Sequence, residues 1–226
     1  MSYYYLIINL ATISIPFIFS FHPKIRFDKK WPAFWPALII TGVAFILWDM
    51  LYTHWEVWGF NDRYLVGIDI FNLPLEEILF FICIPYACVF TYYVLDRRVF
   101  YPYRHIPTGY FSGTFALVML FLGIISYDQI YTSVTLILMA ATIAVGHNLI
   151  RDKMLSFYYS YAILLIPFFI VNGALTGMFT PEPVVWYDDT QNFGIRLVTI
   201  PVEDVFYGMA LILINVILME KFSGEE

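Results

Sequence analysis

Charge is what this chain of 226 residues has least of: 13% of its residues are Asp, Glu, Lys or Arg, where a soluble domain carries about 25%. With 61% apolar residues beside that shortfall, the bilayer class outranks the globular one before any motif is read. Cysteine is nearly absent. Cys83 and Cys88 stand five apart in one apolar run, about 140° apart on a helix, so they do not face each other and no disulfide framework follows. No G-x-G-x-x-G, no G-x-x-x-x-G-K-[ST] and no basic face is present, which removes the footing for a nucleotide cofactor or a nucleic acid. The start, Met1–Tyr5, has no basic segment and no A-x-A site after it, so the first apolar run is expected to be a retained helix, not a cleaved signal.

Long apolar runs fill the space that charge leaves. A helix needs roughly 20 apolar residues to cross about 30 Å of hydrocarbon, and such runs cover residues 3–21, 31–51, 73–95, 110–127, 131–148, 155–178 and 200–220. Lys and Arg collect in cytoplasmic connections. Here Lys24, Arg26, Lys29, Lys30, Arg97, Arg98, Arg104, Arg151, Lys153 and Lys221 all fall on one side of a seven-span chain, leaving only Arg63 and Arg196 on the other. The expected fold is therefore an all-α integral membrane protein of seven transmembrane helices, N-terminus outside and C-terminus cytoplasmic. The same topology puts His22, His105 and His147 inside and His54 outside, so the four cannot form one metal centre, and no metal site is expected.

An internal repeat supports this count. Residues 67–77 and 194–204 share the pattern G-I-x-[IL]-x-x-[LI]-P-[LV]-E-[ED] at a constant offset of 127. The same offset lays the first span on the fifth. With a gap of four, Trp48-Asp49-Met50 falls on Val171-Asn172-Gly173. Two three-helix units, 1–100 and 131–226, are then joined by a linking helix within 101–130. An odd connecting helix gives both units one orientation, a 3+1+3 parallel repeat.

Both P-x-E-[ED] motifs open a helix at its outer end. One such motif alone reads as a helix start, because Pro gives up an amide without a partner and the dipole favours carboxylates in the first turn. Two equivalent copies point further. Glu76, Glu77, Glu203 and Asp204 lie about 3–5 Å into their helices, and Asp49 descends to the same level. Ionisable groups at membrane depth mark functional sites, and like charges in a dry site cannot all ionise, so one cluster can hold both an acid and a base. Most of the 18 Tyr and 22 Phe, with Trp31, Trp35, Trp55, Trp58 and Trp186, are expected in interfacial belts and packing. Trp48, Tyr52 and Phe80, beside the carboxylates, could stabilise a cation with their ring faces.

At these residues the chain resembles the small membrane-type lycopene cyclases. Trp48-Asp49, Trp58-Gly59-Phe60-Asn61 and Leu73-Pro74-Leu75-Glu76-Glu77 with Phe80-Phe81 and Pro85 look like the first half of that family. Ala174-Leu175-Thr176-Gly177, Gly194-Ile195-Arg196, Ile200-Pro201-Val202-Glu203-Asp204 and Glu220 look like the second, and the whole like the fused form. The family often ends its third helix with Glu, where this chain has Tyr93. The resemblance implies acid–base cyclisation of the linear ends of lycopene to a carotenoid such as β-carotene, by a multi-pass protein of the cell membrane that needs no cofactor. Glu76 or Glu203 would deliver the proton and Glu77 or Asp204 would remove one, with Asp49 in the cluster and Trp48, Tyr52, Phe80 and Asn172 holding substrate. The partners implied are the linear carotenoid and the lipid bilayer, with homo-oligomers or contacts to other carotenoid enzymes left open. A 3+1+3 transporter and a non-catalytic carotenoid-binding subunit are the alternative readings. Transporter sites lie near the midplane, though, and these carboxylates cluster at one face.

The orientation is testable by impermeant thiol labelling of single cysteines. Position 62 should label from outside and position 28 only from the cytoplasmic side; labelling of position 62 from the cytoplasm alone would reverse the topology.

Overall fold

The computed structural model describes residues 3–103 and 106–224; Arg104 and His105 of the third connection lie outside the described residues. Among the described residues, seven helices of 17 residues or more occur where the apolar runs predict them: α1 Tyr4–Ser20, α2 Trp31–His54, α3 Leu75–Leu95, α4 Gly109–Ile125, α5 Ile130–Leu149, α6 Met154–Leu175 and α7 Val202–Phe222. Those of α2, α3, α5, α6 and α7 are long and apolar enough to cross a membrane. The helices α1 and α4, of 17 residues each, rise about 25 Å and are shorter than the runs that announced them. Chain ends and turns take the difference: Pro107 and Thr108 precede α4, and Ser126–Gln129 turns tightly into α5.

The packing order follows from the faces each helix buries. α3 and α7 lie side by side at the centre; α1 packs along α3, and α5 along α7. The second helix of each set crosses over, α2 onto α7 and α6 onto α3, while α4 lies on α5. Large apolar side chains such as Ile7, Ile15, Leu47, Leu117, Phe121 and Ile166 remain exposed around the outside, as a bundle solvated by lipid allows. Near the start of α2, Phe27, Phe34, Tyr86 and Phe90 interlock edge to face around α3. An ion pair between Lys153 and Glu220 ties the start of α6 to the end of α7.

The two long connections, between α2 and α3 and between α6 and α7, carry short strands that the apolar pattern did not announce. β1 (Trp58–Phe60) pairs antiparallel with β4 (Val185–Tyr187), joining the two long loops, with Trp58 opposite Tyr187 and Phe60 opposite Val185. The loops also form two small hairpins, β2 (Asp69–Ile70) with β3 (Leu73–Pro74) and β5 (Arg196–Leu197) with β6 (Ile200–Pro201). Backbone N–H and C=O groups this close to hydrocarbon must find partners within the protein, and these ladders supply them.

The two proline–acid motifs have the same local geometry. Gly67 and Gly194 take φ of 86° and 67°, and Phe71 and Val198 at the hairpin tips take 58° and 63°. The left-handed region costs glycine nothing, and a β-branched residue such as Val198 rarely enters it. Leu75 N–H donates to Ile68 O at 2.8 Å, and Val202 N–H to Ile195 O at 3.0 Å, closing each hairpin onto the helix that follows.

Close helix packing between α4 and α5 depends on Gly123, where an added Cβ would lie 2.8 Å from the Ile137 side chain and 3.1 Å from the Ser133 carbonyl oxygen. Gly123→Val should push the two helices apart at a cost of about 1–3 kcal/mol. The expected readout is a lower Tm of the detergent-extracted protein; an unchanged Tm would contradict this packing.

Candidate functional site

A cavity of about 320 Å³ runs down the bundle from the paired loops. Its α3 wall is Glu77, Phe80, Ile84, Ala87, Cys88 and Thr91, one stripe at the three-to-four spacing of a helix face. From Glu77 to Thr91 that stripe descends about 21 Å at 1.5 Å per residue. α6 contributes Leu164, Phe168, Val171 and Asn172, α7 contributes Asp204, Tyr207, Gly208 and Leu211, and α1 contributes Tyr5, Thr12 and Pro16. Trp58, Phe60, Val185 and Tyr187 of the β1–β4 ribbon close the outer end. The outer end is polar and the deep end apolar, so a long apolar molecule would enter with one end against the carboxyls.

Three carboxyl groups, Asp49, Glu77 and Asp204, line that outer end, and each is buried, at 2%, 8% and 4% exposure. Their donors differ. Asp204 accepts from the Tyr131 hydroxyl, from Asn172 Nδ2 at 2.8 Å and from the Tyr187 hydroxyl at 2.9 Å. Asp49 accepts from the Trp58 indole N–H. Glu77 accepts from the Tyr5 hydroxyl at 2.6 Å. Asp204, supplied with three donors, is arranged for a full negative charge, whereas Glu77 keeps the largest exposed share of the three toward the cavity. Burial first, and then the charge of Asp204, push the Tyr187 phenol well above its ordinary value, which keeps it a donor at neutral pH.

Glu76 and Glu203 point elsewhere. Glu76 accepts the Val66 N–H at 2.6 Å, and Glu203 accepts the Phe193 N–H at 2.8 Å and the Thr132 hydroxyl at 2.5 Å. Each thus fastens a residue of its own loop ten positions before it. Neighbouring helical residues diverge by about 100°, so one acid of each pair faces the cavity and the other faces its loop. Among the ring and amide candidates, Phe80 and Asn172 line the cavity. Trp48 stands behind it, 5.0 Å from the Tyr207 ring and 5.5 Å from the Tyr52 ring, and Tyr52 donates to Ile130 O at 3.2 Å.

Four side chains at the site were not singled out for it from sequence: Tyr5, Trp58, Tyr131 and Tyr187. Each resembles an interfacial aromatic by composition, and only the fold turns its polar tip to a carboxyl. One signal was present: at the 127-residue offset Tyr4-Tyr5 falls on Tyr131-Thr132, and three of these four hydroxyl side chains serve the paired acids.

Fold and site together define a helical protein, five of whose helices are long and apolar enough to cross a membrane, that buries carboxyl groups and aromatic donors above an apolar cleft. The lycopene cyclase family model matches residues 2–95 and 128–222, so the chain belongs to the lycopene cyclase family. Among curated proteins it is similar to the bifunctional lycopene cyclase/phytoene synthase of Leptosphaeria maculans, 35% identical over 63 residues. The match covers 28% of this chain and 11% of that protein. The protein of the same description from Phaeosphaeria nodorum is 30% identical over 63 residues with the same coverages. The chain thus spans about a tenth of the curated relatives it matches. No solved structure matches it.

The loop-fastening role of Glu203 has a direct check. Glu203→Ala removes the acceptor for Phe193 N–H and should lower stability by about 1–3 kcal/mol, while Glu203→Gln keeps one carbonyl oxygen there and should lose less. Equal thermal stability of the two variants would contradict that role.

Proposed function

We propose that this protein is a lycopene cyclase that isomerises the linear ends of lycopene to β rings, yielding β-carotene, as a seven-span protein of the cell membrane. In this reading two three-helix units, 1–100 and 131–226, are linked by α4 in a parallel repeat, with the N-terminus and the carboxyl cluster toward the outside. The observation that carries it is the grouping of Asp49, Glu77 and Asp204 at the polar end of an otherwise apolar cleft, within a chain of this family.

The chemistry needs one proton in and one proton out. Glu77, the most open of the three carboxyls, delivers H⁺ to C2 of the terminal alkene. The tertiary cation at C1 is attacked by the C5=C6 bond and the ring closes, leaving the charge at C5. Asp204, held as an anion by Tyr131, Tyr187 and Asn172, stabilises that charge and accepts the proton from C6, which sets the double bond of the β ring. Asp49, beside Glu77, shares the proton load of the cluster, and the ring faces of Trp58, Phe80 and Tyr207 line the path of the cation. Glu76 and Glu203 act as positioning residues through their loops. The β1–β4 ribbon over the site keeps out water that would trap the cation as an alcohol. Substrate and product are isomers, so the stoichiometry requires no redox partner. An intramolecular lyase of this kind finds its insoluble substrate in the bilayer itself.

Expression in a lycopene-accumulating host with product analysis tests the reading. Glu77→Gln and Asp204→Asn should each lower ring formation about 10²–10⁴-fold with little change in protein level. Glu220→Gln, at the inner end, should be mild. Cyclisation in heavy water should place one deuterium at C2 for every ring. Deuterium-free product, or near-normal activity in both variants, would sink the mechanism.

A further inference from the structure

A second concavity lies away from the carboxyls, between the connection that joins α1 to α2 and the far end of α3. It holds about 230 Å³, and its walls are Lys24, Ile25, Tyr93, Val94, Arg97 and Arg98. α3 runs to Leu95, and a wider helical turn continues it over Asp96–Phe100. Basic residues after a helix C-terminus are ordinary, because they answer the dipole. Here they are also fastened. Arg97 Nη1 donates to the Tyr93 hydroxyl at 2.7 Å, with its Cζ 5.1 Å from the ring centre, and that hydroxyl donates to Ile25 O at 3.4 Å. Arg98 Nη2 donates to Lys24 O. Tyr93 is buried, so its ring is a fixed floor that holds Arg97 beside Lys24. A guanidinium has five N–H donors, and these bonds take one from each arginine. Among the described residues, no carboxylate forms an ion pair with Lys24, Arg97 or Arg98. Asp96, the only acid between positions 93 and 103, is buried and is not part of the walls.

The chain supplies its own comparison. At the 127-residue offset Lys24, Tyr93, Arg97 and Arg98 fall on Arg151, Glu220, Gly224 and Glu225. The first set carries three positive charges and no negative one; the second carries one positive and two negative. Glu220 forms an ion pair with Lys153, whereas Tyr93 in its place brings no charge. Like charges held together raise one another's energy, so the first set is completed by an anion from outside the chain. The surroundings indicate its kind. Both neighbouring spans, Phe27–His54 and Leu75–Phe100, are apolar enough to lie in a bilayer. Phe21, three residues before Lys24, and Val99, next to Arg98, are exposed apolar side chains, and Ile25 and Val94 put apolar surface into the pocket itself. A soluble anion uses none of that surface, and a phosphate attached to acyl chains uses all of it.

We propose that this pocket binds the phosphate of an anionic membrane phospholipid, with Lys24, Arg97 and Arg98 on its oxygens and Ile25 and Val94 against the start of its apolar part. Arginine suits the task, because its planar fork meets two phosphate oxygens at once, and basic pockets at the ends of membrane helices take head groups in this way. The site lies at the opposite end of α3 from Glu77, about 27 Å away along the helix. It is separate from the carboxyl cluster and does not rest on the cyclase reading. A lipid held there bridges the α1–α2 connection to the end of α3, adding to the bonds that Tyr93 and Arg98 already make between them.

Native mass spectrometry of the full chain in a neutral detergent tests this, with phosphatidylglycerol and phosphatidylcholine of identical acyl chains added in equal amounts. The expected result is phosphatidylglycerol retained on the protein in preference to phosphatidylcholine. Lys24→Gln and Arg97→Gln should each weaken that retention roughly fivefold, the effect of one basic group at an anionic membrane surface. Lys29→Gln removes the same charge from the same connection but outside the pocket, and should leave retention unchanged. Tyr93→Glu, which copies the second unit, should abolish it. Equal losses in Lys29→Gln and Lys24→Gln would reveal diffuse attraction and overturn the site. Undiminished phosphatidylglycerol on Tyr93→Glu, or equal retention of the two lipids, would overturn it as well. Lys24 is exposed, so its variant decides the matter if Tyr93→Glu does not fold. Inorganic phosphate in large excess separates the two sources of the anion. The lipid should stay bound; its displacement would assign the pocket to a soluble anion and defeat the proposal.

Discussion

A carboxyl group at the top of a lipid-embedded helix must receive its hydrogen bonds from the protein, because the hydrocarbon beside it offers none. The half of the molecule around the starts of α3 and α7 follows from that requirement. Each helix α3 and α7 starts with two consecutive acids; the first of each pair takes a backbone N–H from its own loop, with Thr132 of α5 also donating to Glu203, and the second takes a phenol from α1 or α5. The first bond shapes the loop and the second draws α1 or α5 against the central pair. Hairpins, loop ribbon and helix packing thus converge on the same four side chains. Removing one of them leaves a buried polar partner unsatisfied, a larger penalty than the bond itself contributes.

The segregation of polarity along the cleft divides labour. Its outer end holds charge, donors and the ring faces of Trp58 and Tyr187; its deep end offers Ile84, Ala87 and Leu211, which can do no more than displace lipid from a long apolar chain. Binding strength then comes from contact along the length, and reactivity from a few ångströms at the top. An apolar wall discriminates little between similar apolar groups, so in the proposed reaction the position of the carboxyls decides which carbon is protonated.

Helix positions, the two proline–acid motifs and the presence of Asp49 and Asn172 near them could all be read from the sequence. Helix length, proline stops and paired acids are local properties, and local properties survive folding. The orientation of each acid within its pair could not be read, because Glu76 and Glu77 differ only in helical phase, which is set by what packs against α3. The roles of Tyr5, Trp58, Tyr131 and Tyr187 were hidden for a related reason. In a chain where 20% of residues are aromatic, no single ring stands out, and the contacts that select these four span 9 to 73 residues of chain. Trp48, adjacent to Asp49 in sequence, stands outside the cavity lining, with its indole 5.0 Å from the Tyr207 ring.

The ribbon formed by β1 and β4 joins the loops of both halves over the carboxyls, with Trp58 paired to Tyr187. Opening a path to the aqueous phase there would break backbone bonds and the donors of two acids at once. On the proposed reading, traffic is confined to the plane of the membrane, and the substrate is met as a two-dimensional mole fraction. Spreading a fixed amount of carotenoid through more lipid would then starve the protein, while concentrating protein and pigment in one small membrane patch would speed it, with no change in any bulk concentration. Regulation of flux through such an enzyme belongs as much to the lateral organisation of the bilayer as to the catalyst.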